Sequence, residues 1–252
     1  MTVTRETVAR TDEPAPRAEL AVEAKGLVRR FGEREALYEV DATLARAHTL
    51  VVFGPNGAGK TTFLRVLATL LLPHDGSVRV LGRDLPRDAH EVRAQIGFIG
   101  HEPLLYKELT GRENLMFYAR LYDLPRPEER VQELLDTAAL SRRADEPLHA
   151  LSRGMVQRLA ICRAVLHGPE LLLLDEPLAG LDPDAEDLVE PLIGRDGRHT
   201  RVLVTHDIDR GLSQADRVLG LRDGRALLDG PARDFDASQV RALYGHSCEV
   251  PD

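Results

Sequence analysis

The stretch Gly54-Pro55-Asn56-Gly57-Ala58-Gly59-Lys60-Thr61 limits the possible folds of this chain more than any other feature, because it fits G-x-x-x-x-G-K-[ST] and lies in the context that pattern requires. Before it runs Leu50 to Phe53, a solid apolar segment that predicts a buried central strand. After it, Phe63, Leu64, Leu67 and Leu71 recur at helical spacing until Pro73-His74-Asp75-Gly76 ends the run. The glycines let backbone N–H groups close around phosphates without Cβ clashes, and the helix N-terminus adds its positive dipole. Lys60 can then neutralise β and γ phosphates, while the Thr61 hydroxyl, followed by Thr62, can enter a Mg²⁺ shell. The loop by itself fits an NTPase or a nucleotide kinase equally well.

A second element narrows the chemistry. In LLLLDEP, Leu171 to Pro177, an apolar strand delivers Asp175 and Glu176 to its C-terminal end, where open parallel sheets bind ligands. Asp175 suits a Mg²⁺ contact, and Glu176 is placed to orient or deprotonate an attacking water. Hydrolysis therefore outranks binding alone.

Strand-like segments at 20–53, SVRVLG and IGFIG, then Glu170–Leu174 and Arg201–Thr205, alternate with helical ones, which predicts a largely parallel sheet covered on both faces. A long, mostly helical section is expected from about Thr110 to Leu140, with Leu115, Tyr118, Ala119 and Tyr122 on one stripe, followed by helices over Ser152–Leu166 and after Pro183. Residues 1–19 carry charge, Thr and Pro without an apolar run and are expected to be a flexible tail. No apolar stretch approaches the roughly 18 to 20 residues a bilayer-crossing helix needs. The formal charge of -8 speaks against a broad nucleic-acid footprint, so no nucleic-acid partner is expected. Cys162 and Cys248 have no second cysteine or clustered histidine at metal-ligand spacing, which fits a reducing compartment.

The string LSRGMVQRLAICRAV, Leu151 to Val165, resembles the LSGGQ signature of the ATP-binding-cassette (ABC) family, with Gln157 and Arg158 keeping the pattern and Arg153 and Met155 departing from it. Gly180-Leu181-Asp182 resembles the family's D-loop, Thr205-His206-Asp207 its switch histidine, and Phe31 the aromatic that stacks on adenine. The resemblance covers about residues 20 to 230. It implies an α/β fold: a P-loop NTPase core with a mainly parallel sheet, an N-terminal antiparallel β portion and an inserted α-helical lobe. On that pattern residues 20–252 form one domain, with the helical subdomain at about 102–160. The resemblance further implies ATP and Mg²⁺ as cofactors, and Glu176, His206 and Lys60 as catalytic groups. Phe31, the loop residues Gly54 to Thr62, and Ser152, Gly154 and Asp182 become nucleotide contacts. Ser152 and Gly154 would meet the γ-phosphate held by a second ABC subunit, most simply another copy of this chain. Membrane-spanning transporter subunits and a place on the cytoplasmic face of the cell membrane follow from the same likeness.

His101 stands where most of the family has a Gln that ligates Mg²⁺ and senses the membrane subunit; a neutral imidazole can still offer one ring nitrogen to nucleotide, water or metal. The surrounding string GHEPLLYKELTGRENLMFYARLYDL resembles one branch, the ATPase of the haem exporter used in cytochrome c maturation. A generic exporter ATPase of unknown cargo is the alternative. A soluble cassette acting on ribosomes or DNA and a small-molecule kinase fit less of the motif set.

Overall fold

The computed structural model describes residues 20–195 and 199–245 of the 252-residue chain; the tail expected at 1–19 and Cys248 lie outside them. Two sheets organise the fold. The first is antiparallel, in the order β2-β1-β4-β5, built from β1 (Leu20–Phe31), β2 (Arg34–Ala45), β4 (Asp75–Val80) and β5 (Arg83–Leu85). The second has the order β10-β9-β3-β8-β7-β6, from β3 (Thr49–Phe53), β6 (Ile96–Ile99), β7 (Leu171–Asp175), β8 (Thr200–Val204), β9 (Arg217–Arg222) and β10 (Arg225–Pro231). Its strands pair in parallel except β9 with β10.

All five residues of each of β3, β7 and β8 are buried, as expected for strands covered on both faces. Because successive side chains point to opposite faces, each strand feeds two cores. Leu50, Val52, Leu171, Leu173, Val202 and Val204 join helix α1 (Lys60–Leu67) and the antiparallel sheet. Val51, Phe53, Leu172, Leu174 and Leu203 join the helices on the other face. Each fully buried leucine contributes about 1.5–3 kcal/mol, so the central strands lock the sheet whose C-terminal edge carries the motifs.

On that second face lie α3 (Gly111–Leu121), α4 (Pro127–Thr137), α5 (Arg153–Val165), α6 (Pro183–Ile193), α7 (Ile208–Gln214) and α8 (Ala237–Ala242); short α2 (Ala89–Arg93) packs near β5. The mostly helical section expected over 110–140 consists of two helices, α3 and α4. Asp123 takes a left-handed φ of 52°, and Pro125 and Pro127 remove N–H donors, so the chain turns between α3 and α4. α3 begins with a capping box: Thr110 Oγ1 accepts from Glu113 N at 3.2 Å and Glu113 Oε2 accepts from Thr110 N at 2.8 Å. The C-terminal half of α5, Leu159 to Val165, is buried all round, consistent with a helix enclosed by others.

Candidate functional site

The phosphate loop joins β3 to α1, and its shape depends on two glycines that nothing larger could replace. Gly54 has φ 145°, and a Cβ there would lie 2.1 Å from Leu221 O; Gly59 has φ 105°, and its Cβ would lie 2.4 Å from Ala36 O. Lys60 Nζ donates to Gly54 O at 2.6 Å and Pro55 O at 2.9 Å, and Ala58 N closes the loop onto Pro55 O at 3.2 Å. Burial draws the Lys60 ammonium below its ordinary value, while the carboxylates of Glu176 and Asp175 pull it back up.

Those carboxylates arrive from β7. Thr61 Oγ1 donates to Asp175 Oδ2 at 2.7 Å, tying the first turn of α1 to the strand end. Asp175 is one of the few buried charged side chains. Glu176 follows in a left-handed conformation, φ 50°, that a residue with a Cβ rarely adopts, held because its N donates to Val204 O at 3.0 Å. Its Oε2 lies 2.9 Å from His206 Nδ1, which reaches over from beyond the end of β8.

One cavity of about 540 Å³ collects most of the residues read from the sequence: Phe31, Asn56, Gly57, Ala58, Gly59, Lys60, Thr61, Thr62, His101, Asp175 and Glu176. Gly54 and Pro55 lie behind it, holding Lys60. Phe31 is half exposed at the cavity rim, with the Arg29 guanidinium 4.8 Å from its ring centroid. His101 lines this cavity and also a smaller outer hollow of about 180 Å³ shared with Arg65, Leu71, Phe98 and Leu104.

Ser152, Gly154 and Asp182 are absent from the cavity wall. Ser152 caps α5, accepting from Met155 N at 3.3 Å, and Asp182 caps α6, accepting from Ala185 N at 2.9 Å. The start of α5 lies against the segment that leads into α6: a Cβ on Gly154 would sit 3.6 Å from Leu181 Cδ2, and Gln157 Nε2 donates to Pro177 O at 2.7 Å. One cap and one phosphate loop thus occupy separate places on the same chain.

Sequence reading missed Arg34, whose Nη2 donates to Gly57 O at 3.2 Å and which lines the cavity. It also missed Tyr244, whose hydroxyl accepts from Gly54 N at 3.1 Å. Both act through space from positions with no fixed spacing to the loop.

A strand-to-helix phosphate loop facing a buried aspartate and a strained glutamate at the C-terminal edge of a parallel sheet defines a P-loop nucleoside-triphosphate hydrolase. Residues 37–179 match the family model described as "ABC transporter", and the chain belongs to that family as an ATP-binding, ATP-hydrolysing subunit. It is 38% identical over 226 residues to the daunorubicin resistance ATP-binding protein DrrA3 of Streptomyces coeruleorubidus, covering 87% of this chain and 71% of that one. It is 32% identical over 221 residues to the Nod factor export ATP-binding protein I of Ralstonia nicotianae, covering 86% and 68%. The solved dimeric post-hydrolysis state of an ATP-binding cassette bound to ADP and Pi superposes with a TM-score of 0.76 at 27% identity, covering 85% of this chain and all of that one.

Proposed function

We propose that this chain is the motor of an exporter, working as a pair of cassettes on the cytoplasmic face of a membrane and driving cargo through separate membrane-spanning subunits. The observation that carries this reading is the separation of the Lys60 cavity from the Ser152 cap. A phosphate held by Lys60 on one chain can accept charge-assisted hydrogen bonds from the α5 N-terminus of another. The D-loop cap at Asp182 lies beside that terminus and belongs to the same contact.

In hydrolysis, Glu176 takes a proton from the water that attacks the γ-phosphorus, the bond to the bridging oxygen breaks, and ADP leaves with that oxygen. Lys60 holds the phosphates, and His206 fixes the Glu176 carboxylate from its other side. Phe31 offers its free ring surface to the base. Thr61 and Asp175 put a hydroxyl and a carboxylate side by side, the hard oxygen donors Mg²⁺ prefers, and they suit it better than the His101 imidazole does. Bound there, Mg²⁺ would neutralise phosphate charge.

Among the described residues no helix is long and apolar enough to cross a membrane. The outer hollow beside His101 is lined by the exposed Leu70 and Leu104, apolar groups suited to a contact with a membrane subunit. We place His101 there as the contact between that subunit and the nucleotide cavity.

The relatives named for drug resistance and Nod factor export favour an exporter of cargo other than haem. Haem export rests on the 100–124 string alone, and local architecture accounts for much of it. Thr110 and Glu113 form the α3 capping box, and the fully buried Asn114 exchanges hydrogen bonds with Tyr106 N, Tyr106 O and Thr110 O at 2.7–3.0 Å. Affinity purification from detergent-solubilised membranes tests the proposal. A polytopic chain that stimulates ATP hydrolysis should co-purify, and a cassette recovered without one contradicts the exporter reading.

A further inference from the structure

The Gly54 backbone is gripped by three separate elements. Its carbonyl accepts from Lys60 Nζ, and Leu221 O of β9 fills the space a Cβ would need. Its N–H donates to the Tyr244 hydroxyl at 3.1 Å. The last contact comes from the far end of the chain, well outside the residues that match the family model.

α8 delivers that hydroxyl by a well-specified route. Asp236 caps the helix in a capping box with Gln239. Val240 and Leu243 are buried in the second core, with Leu243 Cδ1 packed on Gly220 beside the loop. Arg241 pairs with Asp209 of α7 at 3.1 Å, and α7 in turn packs Gly211 against the ring of Phe53, the residue before Gly54. Tyr244 follows the last turn, its N donating to Arg241 O at 3.0 Å.

From this geometry we infer that Tyr244 is a positioning residue for nucleotide binding: its hydroxyl holds the Gly54 amide, and through the Gly54 carbonyl it sets where Lys60 stands. The phenol keeps its proton at neutral pH: burial raises it above its ordinary value, the Gly54 N–H bond draws it down by less, and the Glu176 carboxylate adds to the rise. It therefore remains a neutral acceptor for the amide. Without it, the loop must be ordered by the incoming phosphates. That cost falls on ground state and transition state alike, so binding weakens while turnover does not.

Tyr244→Phe tests this with the ring and its packing kept. A fluorescent ADP titrated into the purified chain should bind about 3- to 10-fold more weakly, the range one hydrogen bond covers. At saturating ATP, kcat should stay within about 2-fold of the parent, as expected when uniform binding is lost. Hydrogen–deuterium exchange should quicken in the peptide containing Gly54 and stay unchanged in α7 and α8. Unchanged ADP affinity overturns the inference. Faster exchange throughout α7 and α8 also overturns it, because it assigns Tyr244 to packing alone. ADP binding by the single chain needs neither a second cassette nor a membrane subunit, so failure here is distinct from failure of the exporter reading.

Discussion

His206 Nδ1 lies 2.9 Å from Glu176 Oε2, across the ends of two adjacent parallel strands. The His206 side chain is 78% exposed, so the contact adds little to stability. It joins the His206 ring to a carboxylate whose residue leaves β7 in a left-handed conformation, φ 50°.

Glu176→Gln keeps the size of the side chain and removes its basicity. Hydrolysis should fall by about 10² to 10⁴ while ATP still binds, the range expected for losing a general base. Single-turnover kinetics beside a binding titration check this; near-parental turnover would remove Glu176 from the role.

Asp175→Asn should uncouple the metal from the nucleotide. In the parent, chelating Mg²⁺ with EDTA should weaken ATP binding and stop hydrolysis, since Thr61 and Asp175 bring a hydroxyl and a carboxylate together at the loop. In the variant the difference in ATP affinity with and without Mg²⁺ should shrink. An undiminished difference would place the metal on other groups.

His101→Ala should leave ATP affinity close to the parent value and reduce stimulation of the ATPase by the membrane partner. His101 lines both the nucleotide cavity and the outer hollow beside the exposed apolar surface, so it can report from one to the other. Equal stimulation in variant and parent would make it incidental.

His167 should make the fold acid-sensitive. It is stacked on Tyr122 at 3.9 Å with Nε2 against Ile96 O at 3.1 Å, and burial lowers its pKa to about 4. The unfolded chain takes up this proton near pH 6.5 and the folded chain only near 4, so stability is full above 6.5 and falls between them. The difference corresponds to about 3 kcal/mol. Denaturant titrations from pH 7 to 4 should show a shallower loss for His167→Gln than for the parent; parallel losses would contradict this.

The loop and the acidic pair were legible in the sequence because phosphate chemistry demands particular residue types at fixed spacing. The exact break between α3 and α4 was not, since the mostly helical section reads through to Leu140 and the left-handed backbone of Asp123 is a local conformation that no residue type at 123 demands. Arg34 and Tyr244 were invisible for another reason: each reaches the loop through space, and packing alone decides which arginine or tyrosine does so. ELTGRENL was legible as a pattern, yet its Thr110, Glu113 and Asn114 serve a cap and a buried turn, which any cargo could share.

The shared site is tested most directly by light scattering on the purified Glu176→Gln chain. ATP should convert it from monomer to dimer and ADP should not, because the γ-phosphate on Lys60 is the group the second chain's Ser152 cap would hold. Adding Ser152→Arg should block that dimer by crowding the opposite phosphate. A double variant that still dimerises fully with ATP, or dimerisation equally strong with ADP, would contradict the account.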